Sequence, residues 1–331
     1  MTTPKITIIG LGLTGTSIGL GLRRQEGDFE IVGHDKEPEV AGAAKKAGAI
    51  NRSEWNLHNA YEGADMVILA VPLSELDELL ELMAEGLKPG ALLLATVNVM
   101  QPAIEIADER LSNAVHFVAG HPILTGIGGP LTPRPDLFED AVFCLAPSLN
   151  ADPNAVQLAS DFVERLGANP LFVDAHEHDG IMAGVEQLPQ IMAAALMRTS
   201  TASPGWAEAQ RMAGRRFAQA TELGGSADQI FSSLQTNRAN LVYRIEQLRN
   251  ELDEWKRLLE MDAPEEGEHP LLSALKQVVR SRDEWEAHAQ LKQWDLSPTV
   301  TGEEPEQRGF MRQMFFGNFF KRPPKPTDSE K

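Results

Sequence analysis

The sequence predicts an α/β protein in which an N-terminal doubly wound parallel sheet is followed by an all-helical domain. Residues 1–173 alternate short apolar runs, typical of buried strands, with longer runs of helical periodicity. From residue 174 onward only helical patterns follow. The first strand also runs directly into a glycine-rich turn, residues 10–15, which opens the first helix. This alternation builds a mainly parallel sheet with helices on both faces.

The predicted strands are apolar runs bounded by turn residues: 5–9, 29–33, 66–71, 91–96, 115–118, 141–145 and 170–173. The helices predicted among them cover residues 13–25, 37–47, 73–86, 102–109 and 153–166. The run 66–71 is apolar without a break, which predicts a central strand buried on both faces. Its C-terminal end therefore lies beside any ligand bound at the glycine-rich turn.

The glycine-rich turn has the spacing of a Rossmann-type dinucleotide site. Gly10 permits the tight turn, Gly12 lets the backbone approach a pyrophosphate, and Gly15 lets the helix pack closely on the strand. The amides at the helix N-terminus then face the anion. The residues predicted to contact the cofactor here are Gly10, Leu11, Gly12, Leu13, Thr14 and Gly15.

Asp35 indicates which dinucleotide binds. It follows the second predicted strand, twenty residues beyond Gly15, where a carboxylate accepts both ribose hydroxyls of NAD and repels the 2′-phosphate of NADP. We therefore predict NAD, although the adjacent Lys36 weakens that preference. Three further candidate cofactor contacts lie at the end of the central strand or just beyond it: Val71, Pro72 and Ser74. The first two equally fit the plain end of a core strand.

The second domain is predicted to contain four helices, at residues 175–202, 206–222, 227–261 and 270–294. The third carries leucines and isoleucines mostly at three-, four- and seven-residue spacings, and such a stripe needs a partner. We predict that it pairs with a second copy in a homodimer; the alternative is packing within one bundle. The predicted domains are 1–173 for the cofactor, 174–296 for substrate and dimerisation, and 297–331 as linker and tail.

The C-terminal tail differs in composition from both domains. Pro, Glu and Thr are frequent from residue 297 to 307, as in a linker. Residues 309–322 then contain five phenylalanines and two methionines with basic flanks. On a helix these side chains share a face: Phe310, Met314, Phe315 and Phe319. We expect that face to dock on the protein or its dimer mate rather than on a membrane.

Charge and cysteine content exclude several classes of protein. The chain has 30 Lys plus Arg against 48 Asp plus Glu, a net charge of −18, which argues against nucleic-acid binding because phosphate surfaces need a positive excess. The only cysteine, Cys144, allows neither a disulfide framework nor a cysteine-based metal site and predicts a reducing, cytoplasmic setting. No metal is expected, and no run of 18 apolar residues indicates a membrane span.

A histidine is the candidate catalytic residue, because imidazole exchanges protons near neutral pH. His121 follows the predicted strand 115–118 and so emerges at the C-terminal edge of the sheet, where Rossmann ligands bind. The turn Gly126–Gly129 beyond it allows a substrate to approach closely. The alternative is a structural histidine at a strand end. His178 and Asp179 fit a structural role in the first turn of a helix.

These motifs resemble the prephenate dehydrogenase family, which also contains the arogenate dehydrogenases. The resemblance covers about residues 5–294 and rests on Gly-Leu-Gly-Leu-Thr-Gly-Thr-Ser-Ile-Gly at 10–19, Ala-Val-Pro-Leu-Ser at 70–74, Gly-His-Pro-Ile at 120–123, Asp-Leu-Phe-Glu at 136–139, Glu-His-Asp at 177–179, Leu-Pro at 188–189, and Phe217 with Thr221. It implies oxidative decarboxylation of a cyclohexadienol in tyrosine biosynthesis. NAD takes a hydride, a histidine matching His121 takes the hydroxyl proton, and carbon dioxide leaves as the ring becomes aromatic.

The substrate pocket departs from the family pattern. Asn98 stands where the family has a serine that supports the histidine, and we take it as a second catalytic candidate because an amide makes the same hydrogen bond. Met100 replaces a lysine, and Gln187 and Gln190 replace two histidines. Glu222 stands where the family arginine clamps the substrate's ring carboxylate.

Losing one partner of a buried charged pair costs about 3–5 kcal/mol, so the clamp must be replaced or the substrate must differ. Arg215 or Arg216, or Arg211 a turn earlier, is the alternative clamp. An amino-bearing substrate such as arogenate suits Glu186 or Glu222. The predicted substrate contacts are therefore Gln187, Gln190, Arg215, Arg216 and Glu222.

Two other functions compete with this interpretation. A related dehydrogenase of another small acid uses a lysine in its helical domain, but this chain has none between Lys88 and Lys256. An NAD-binding paralogue that has lost catalysis and serves in regulation or assembly explains the lost arginine and histidines. It does not explain why His121 and the glycine-rich turn are present.

Overall fold

The computed structural model describes residues 3–24, 27, 29–124, 132–224, 227–262, 264 and 266–291. They form two compact units, the first ending at Leu241 and the second beginning at Val242. The predicted turn Gly126–Gly129 and the tail 297–331 lie outside the described residues. The domain boundary after residue 173 stays a prediction.

One eight-stranded sheet organises the first unit, in the order β3-β2-β1-β4-β5-β6-β7-β8. The strands are β1 Lys5–Ile9, β2 Glu30–His34, β3 Arg52–Ser53, β4 Met66–Leu69, β5 Leu92–Thr96, β6 His116–Ile123, β7 Val142–Pro147 and β8 Asn169–Phe172. All neighbouring strands are parallel except β6 and β7. The reversal of strand order beside β1 is the switch point at which doubly wound sheets bind ligands.

The helices are α1 Leu13–Arg23, α2 Pro38–Lys46, α3 Leu57–Tyr61, α4 Leu73–Met83, α5 Gln101–Arg110, α6 Pro153–Arg165, α7 Ala175–Met182, α8 Leu188–Thr201, α9 Trp206–Ala209, α10 Arg215–Ala220, α11 Ala227–Thr236, α12 Arg238–Glu260 and α13 Pro270–Leu291. A π-helical segment, Ala183–Gln187, joins α7 to α8. Within these described ranges, no helix combines the length and apolar character needed to cross a membrane.

The core lies on both faces of the sheet because the central strands are apolar on both sides. In β4, Met66 and Ile68 belong to one buried cluster, while Val67 and Leu69 belong to the other. All four side chains are fully buried. This two-sided burial confirms the predicted doubly wound α/β architecture.

The sheet differs from its prediction mainly at β6. The strand was expected to end at residue 118, but it continues to Ile123 because it pairs with β7 after its parallel partner β5 has ended. His121 therefore lies inside a strand, opposite Cys144, and one residue beyond the last position paired with β5. Two short elements, β3 and α3, were missed because two and five residues carry little periodic signal.

The helical region is more interrupted than its apolar pattern suggests. The predicted helix 175–202 contains the π-helical segment because Pro189 has no N–H to donate and its ring crowds the preceding turn. The predicted helix 206–222 is two short helices, α9 and α10. The predicted helix 227–261 is interrupted at Asn237, whose side chain is buried and hydrogen-bonded elsewhere.

Candidate active site

The glycine-rich turn is held by the ends of three neighbouring strands. Gly10 has a φ of 85° and donates its N–H to the carbonyl of His34 at 2.9 Å. A Cβ on Gly10 would lie 2.4 Å from the carbonyl oxygen of Ala70, and one on Gly15 would lie 1.9 Å from that of Gly10. Both positions therefore require glycine, as predicted from their spacing.

The N-terminus of α1 fits a dinucleotide pyrophosphate. In the described chain, no side chain caps this helix at Gly12, and its first turn holds no acidic residue. A Cβ on Gly12 would meet no atom within 4 Å. The positive end of an 11-residue helix therefore opens into free space, which suits an anion.

Asp35 lies directly beside this turn. Its Oδ2 accepts the N–H of Leu11 at 2.7 Å, and its Oδ1 accepts the N–H of Glu37 at 2.9 Å. Lys36, which weakened the prediction of NAD, forms an ion pair with Glu75 at 2.6 Å. That contact directs the ammonium group to a carboxylate of α4 and supports a site for an unphosphorylated ribose.

The other predicted cofactor contacts lie at the end of β4. A Cβ on Gly10 would come within 3.1 Å of Val71 Cγ1, so Val71 borders the turn. Pro72 is the N-cap of α4, and Ser74 is an exposed residue in the first turn of that helix. Their contacts with the cofactor stay predictions.

His121 contacts a second histidine. Its Nδ1 lies 3.1 Å from Nε2 of His178, and the two rings meet edge to face at an interplanar angle of 82°. His178 Nδ1 lies 2.9 Å from Oδ1 of Asp179. Both His178 and Asp179 are 2% exposed. The sequence indicated a helix-terminal role for this pair, whereas the structure joins it to the candidate base.

Asp179 is fixed by the N-terminus of α5. Its Oδ1 accepts the N–H of Met100 at 2.7 Å, and its Oδ2 accepts the N–H of Gln101 at 2.9 Å. An aspartate that accepts helix N-terminal amides is held rigidly in place. Asp179 lies in α7, but its carboxylate accepts hydrogen bonds from the first amides of α5, a helix distant in sequence.

Asn98 and Gln187 meet at Ser233 of α11. Asn98 Nδ2 donates to Ser233 Oγ at 2.9 Å, so the observed bond of Asn98 goes to α11 and not to His121 as expected. Gln187 Nε2 donates to Oγ and to the carbonyl of Ser233, each at 3.0 Å. Its Oε1 accepts from Asn237 at 2.8 Å. The Gln187 amide is therefore hydrogen-bonded to Ser233 and Asn237, and its contact with a substrate stays a prediction.

Ser233 and Asn237 were not found from the sequence. Asn237 also donates to the backbone carbonyl of Asp179 at 2.8 Å, so it ties α7 to the start of α12. The only local signal was a pair of polar residues, four apart, inside an otherwise helical stretch. Such residues are ordinary on a solvated helix face, and only the fold reveals that Asn237 is buried.

Glu186 and Gln190 lie one helical turn apart beside this network. Burial raises the pKa of the Glu186 carboxyl, and the nearby His178 lowers it by a smaller amount. Gln190 Oε1 is buried without a hydrogen-bond partner among the described residues. A buried acceptor of this kind is costly unless a ligand or water supplies a donor.

The remaining predicted substrate contacts lie around α10. Arg215 and Arg216 begin that helix, and Glu222 follows its end; all three are exposed. The helix itself packs on α8 and places Phe217 against the ring of Trp206. The substrate contacts of these three residues stay predictions.

The imidazole of His121 is neutral near neutral pH. Burial lowers the pKa of His121 to about 3, with a further decrease from His178 and an opposing increase from Asp179. A neutral imidazole keeps one nitrogen lone pair and can therefore accept a proton.

The fold, the glycine-rich turn and the histidine pair are those of a nucleotide-binding oxidoreductase. The chain matches two sequence models of one family: "prephenate dehydrogenase, nucleotide-binding domain" over residues 18–171, and "prephenate dehydrogenase, dimerization domain" over residues 174–277. The chain belongs to the prephenate dehydrogenase family and is an oxidoreductase of that family. The resemblance found in the sequence motifs is thereby confirmed.

Individual relatives agree with this assignment. The prephenate dehydrogenase of Lactococcus lactis is 32% identical over 255 residues, which is 76% of this chain and 70% of that protein. That of Bacillus subtilis is 27% identical over 76% of this chain and 67% of the relative. A solved structure of Aquifex aeolicus prephenate dehydrogenase, in complex with hydroxyphenyl propionate and NAD+, superposes with a TM-score of 0.77 at 23% identity. The superposition covers 86% of this chain and 99% of the Aquifex aeolicus chain, and it supports the fold.

Proposed function

We propose that this protein catalyses NAD-dependent oxidative decarboxylation of a cyclohexadienol, prephenate or arogenate, to supply tyrosine biosynthesis in the cytoplasm. The observation that carries the proposal is the neutral imidazole of His121, placed just beyond the end of β5 in a chain of this family. Membership of a family of active dehydrogenases favours catalysis over a regulatory paralogue.

The chemistry divides between cofactor and protein. When bound, NAD accepts a hydride from the ring carbon that carries the substrate hydroxyl. His121 accepts the hydroxyl proton, which leaves the electron pair of the O–H bond on oxygen. Loss of carbon dioxide then makes the ring aromatic. Gly12 and the first turn of α1 would hold the pyrophosphate, and Asp35 would accept the ribose hydroxyls.

The direct test is turnover by the purified full chain. With NAD and either prephenate or arogenate, we expect NADH formation at 340 nm together with an aromatic product detected by chromatography. A protein that binds NAD, remains folded, and oxidises neither compound would contradict the proposal and favour the regulatory alternative.

Asp35 is expected to set the cofactor preference. Asp35→Asn removes the charge that repels a 2′-phosphate and one of the acceptors for the ribose. Charged hydrogen bonds contribute about 1.5–3 kcal/mol, so kcat/KM with NAD should fall about 10- to 100-fold while the NADP to NAD ratio rises. Glu37→Gln, two residues away and exposed, is the matched control. An unchanged ratio would exclude Asp35 as the ribose contact.

Glu186 and Gln190 favour arogenate over prephenate. Arogenate carries an ammonium group, which donates hydrogen bonds, while these two side chains offer a partly buried carboxylate and an unpartnered carbonyl oxygen. The loss of the expected arginine at Glu222 points the same way.

Glu186→Gln tests this preference. We expect kcat/KM for arogenate to fall about tenfold, the loss of about 1.4 kcal/mol from one charged hydrogen bond, with little change for prephenate. Glu177→Gln, an exposed position on α7, is the control. An equal loss of kcat/KM with both substrates would mean that Glu186 does not bind the ammonium group.

The helical region is proposed to form a homodimer. In α12, Leu252 and Leu259 are 57% and 69% exposed and lie seven residues apart on one face. The family model describes residues 174–277 as a dimerization domain. A second copy that covers such leucines removes apolar surface from water, worth about 25 cal/mol per Å².

Charge placed on that face should dissociate the dimer. For Leu252→Glu combined with Leu259→Glu, we expect light scattering to give half the wild-type mass at equal concentration. Asn250→Glu adds charge at another exposed position of the same helix and should leave the mass unchanged. A monomeric wild type would contradict the proposed dimer.

A further inference from the structure

Three side chains form a continuous hydrogen-bonded chain that ends at the candidate base. Asp179 contacts His178, and His178 contacts His121, at 2.9 Å and 3.1 Å. Fixing the N-terminus of α5 requires only the carboxylate of Asp179. That structural role does not explain why a histidine, which is 2% exposed, lies between the Asp179 carboxylate and His121.

The directions of these hydrogen bonds follow from Asp179. A carboxylate only accepts, and this one accepts from Met100 N, Gln101 N and His178. His178 must therefore carry its proton on Nδ1. When His178 carries only that proton, its Nε2 has a lone pair and accepts a hydrogen bond from Nδ1–H of His121. His121 is left with its lone pair on Nε2.

We propose that His178 and Asp179 are positioning residues that select the tautomer of His121 and thereby make its Nε2 the base. The role of that base rests on the proposed function. In the proton transfer, the substrate O–H bond breaks and a bond from His121 Nε2 to the proton forms. The imidazolium keeps its Nδ1–H bond to His178, and the carboxylate of Asp179 behind that ring stabilises the new positive charge.

Among the described residues, the ionisable groups that interact with this hydrogen-bonded chain come from α7 and from the π-helical segment. His178 and Asp179 lie on α7, and Glu186 lies on the π-helical segment, where it interacts electrostatically with His178. The amides of Met100 and Gln101 face Asp179 from the start of α5. A change in the pH profile of a variant must therefore be assigned to one of these groups.

Asp179→Asn tests the charge at the end of the relay. Oδ1 of Asp179 accepts from Met100 N and contacts His178 Nδ1, so an asparagine oxygen in that position keeps both hydrogen bonds while the negative charge is lost. The imidazolium of His121 then lacks the stabilising carboxylate behind His178. We expect kcat to fall about 10- to 100-fold, with KM and the Kd for NAD within about threefold of wild type.

A spectroscopic readout separates this proposal from the proposed function. In protein labelled with ¹⁵N-histidine, we expect His121 of the wild type to be protonated at Nδ1 and to keep its lone pair on Nε2. This measurement needs no turnover. If the wild type already carries the proton on Nε2, the relay is wrong even if the enzyme is active. If the tautomer is as expected and neither substrate reacts, only the proposed function fails.

Two substitutions of His178 keep the test valid if Asp179→Asn folds poorly. The carbonyl of His178→Gln can still accept from His121 Nδ1, so it should retain much of the activity, whereas His178→Leu should lose it about 10²-fold or more. His176→Leu, exposed on the same helix, is the control for the apolar change. Equal activity of the Gln and Leu variants at equal thermal stability would overturn the positioning role.

Discussion

His121→Asn is expected to lower kcat about 10²- to 10⁴-fold, because asparagine fills much of the same space but cannot accept a proton. KM and the Kd for NAD should change little, since the cofactor turn is formed by other strands. Steady-state kinetics and titration of NAD binding measure the two effects separately. His176→Asn, at an exposed position of α7, is the matched control.

The pH dependence of the wild type checks the same assignment. Because burial lowers the pKa of His121 to about 3, the base is already unprotonated at pH 6, and the acid limb of kcat/KM should lie well below the usual histidine range. The wild type could instead lose kcat/KM as the pH falls through an apparent pKa near 6.5. If that acid limb is absent in His121→Asn, the base is not a neutral buried imidazole. Full activity of the His121→Asn variant would show that His121 is not the catalytic base.

Gly12→Ala is expected to weaken NAD binding while leaving the fold intact. A Cβ at this position meets no protein atom within 4 Å, and φ at Gly12 is −69°, which alanine tolerates. The added methyl group instead enters the space in front of α1, where a pyrophosphate must approach the backbone. Overpacking costs about 1–3 kcal/mol, which is a factor of about 5–160 in Kd.

The measurement is the Kd for NAD by calorimetry, together with Tm of the free protein. Gly42→Ala is a suitable control, because its Cβ also meets no atom within 4 Å but lies in α2. That change should leave Kd unaltered and stabilise the helix by about 1 kcal/mol. If Gly12→Ala binds NAD as tightly as wild type, the cofactor does not lie over this turn.

The sequence predicted the central sheet well because its signals are local. An apolar strand, a turn of fixed glycine spacing and an amphipathic helix each extend over a few residues, and their alternation defines the parallel sheet. The same logic fails for β3, which is two residues long, and for the end of β6, which a later strand extends. Asn237 interrupts a predicted helix because its side chain bonds to Asp179 and Gln187, which lie 58 and 50 residues earlier.

The residues of the candidate site also divide into those that the sequence predicts and those that only the fold identifies. The sequence alone determined the glycine-rich turn and the family, and it singled out Asp35 and His121 as candidates, since each depends on residue type and position relative to a strand end. Only the tertiary structure revealed that His178 contacts both His121 and Asp179, because 57 residues separate the two histidines. It also decided that Asn98 and Gln187 bond to Ser233. Contacts between distant residues depend on how the helices pack on the sheet, and periodicity within one segment carries no information about them.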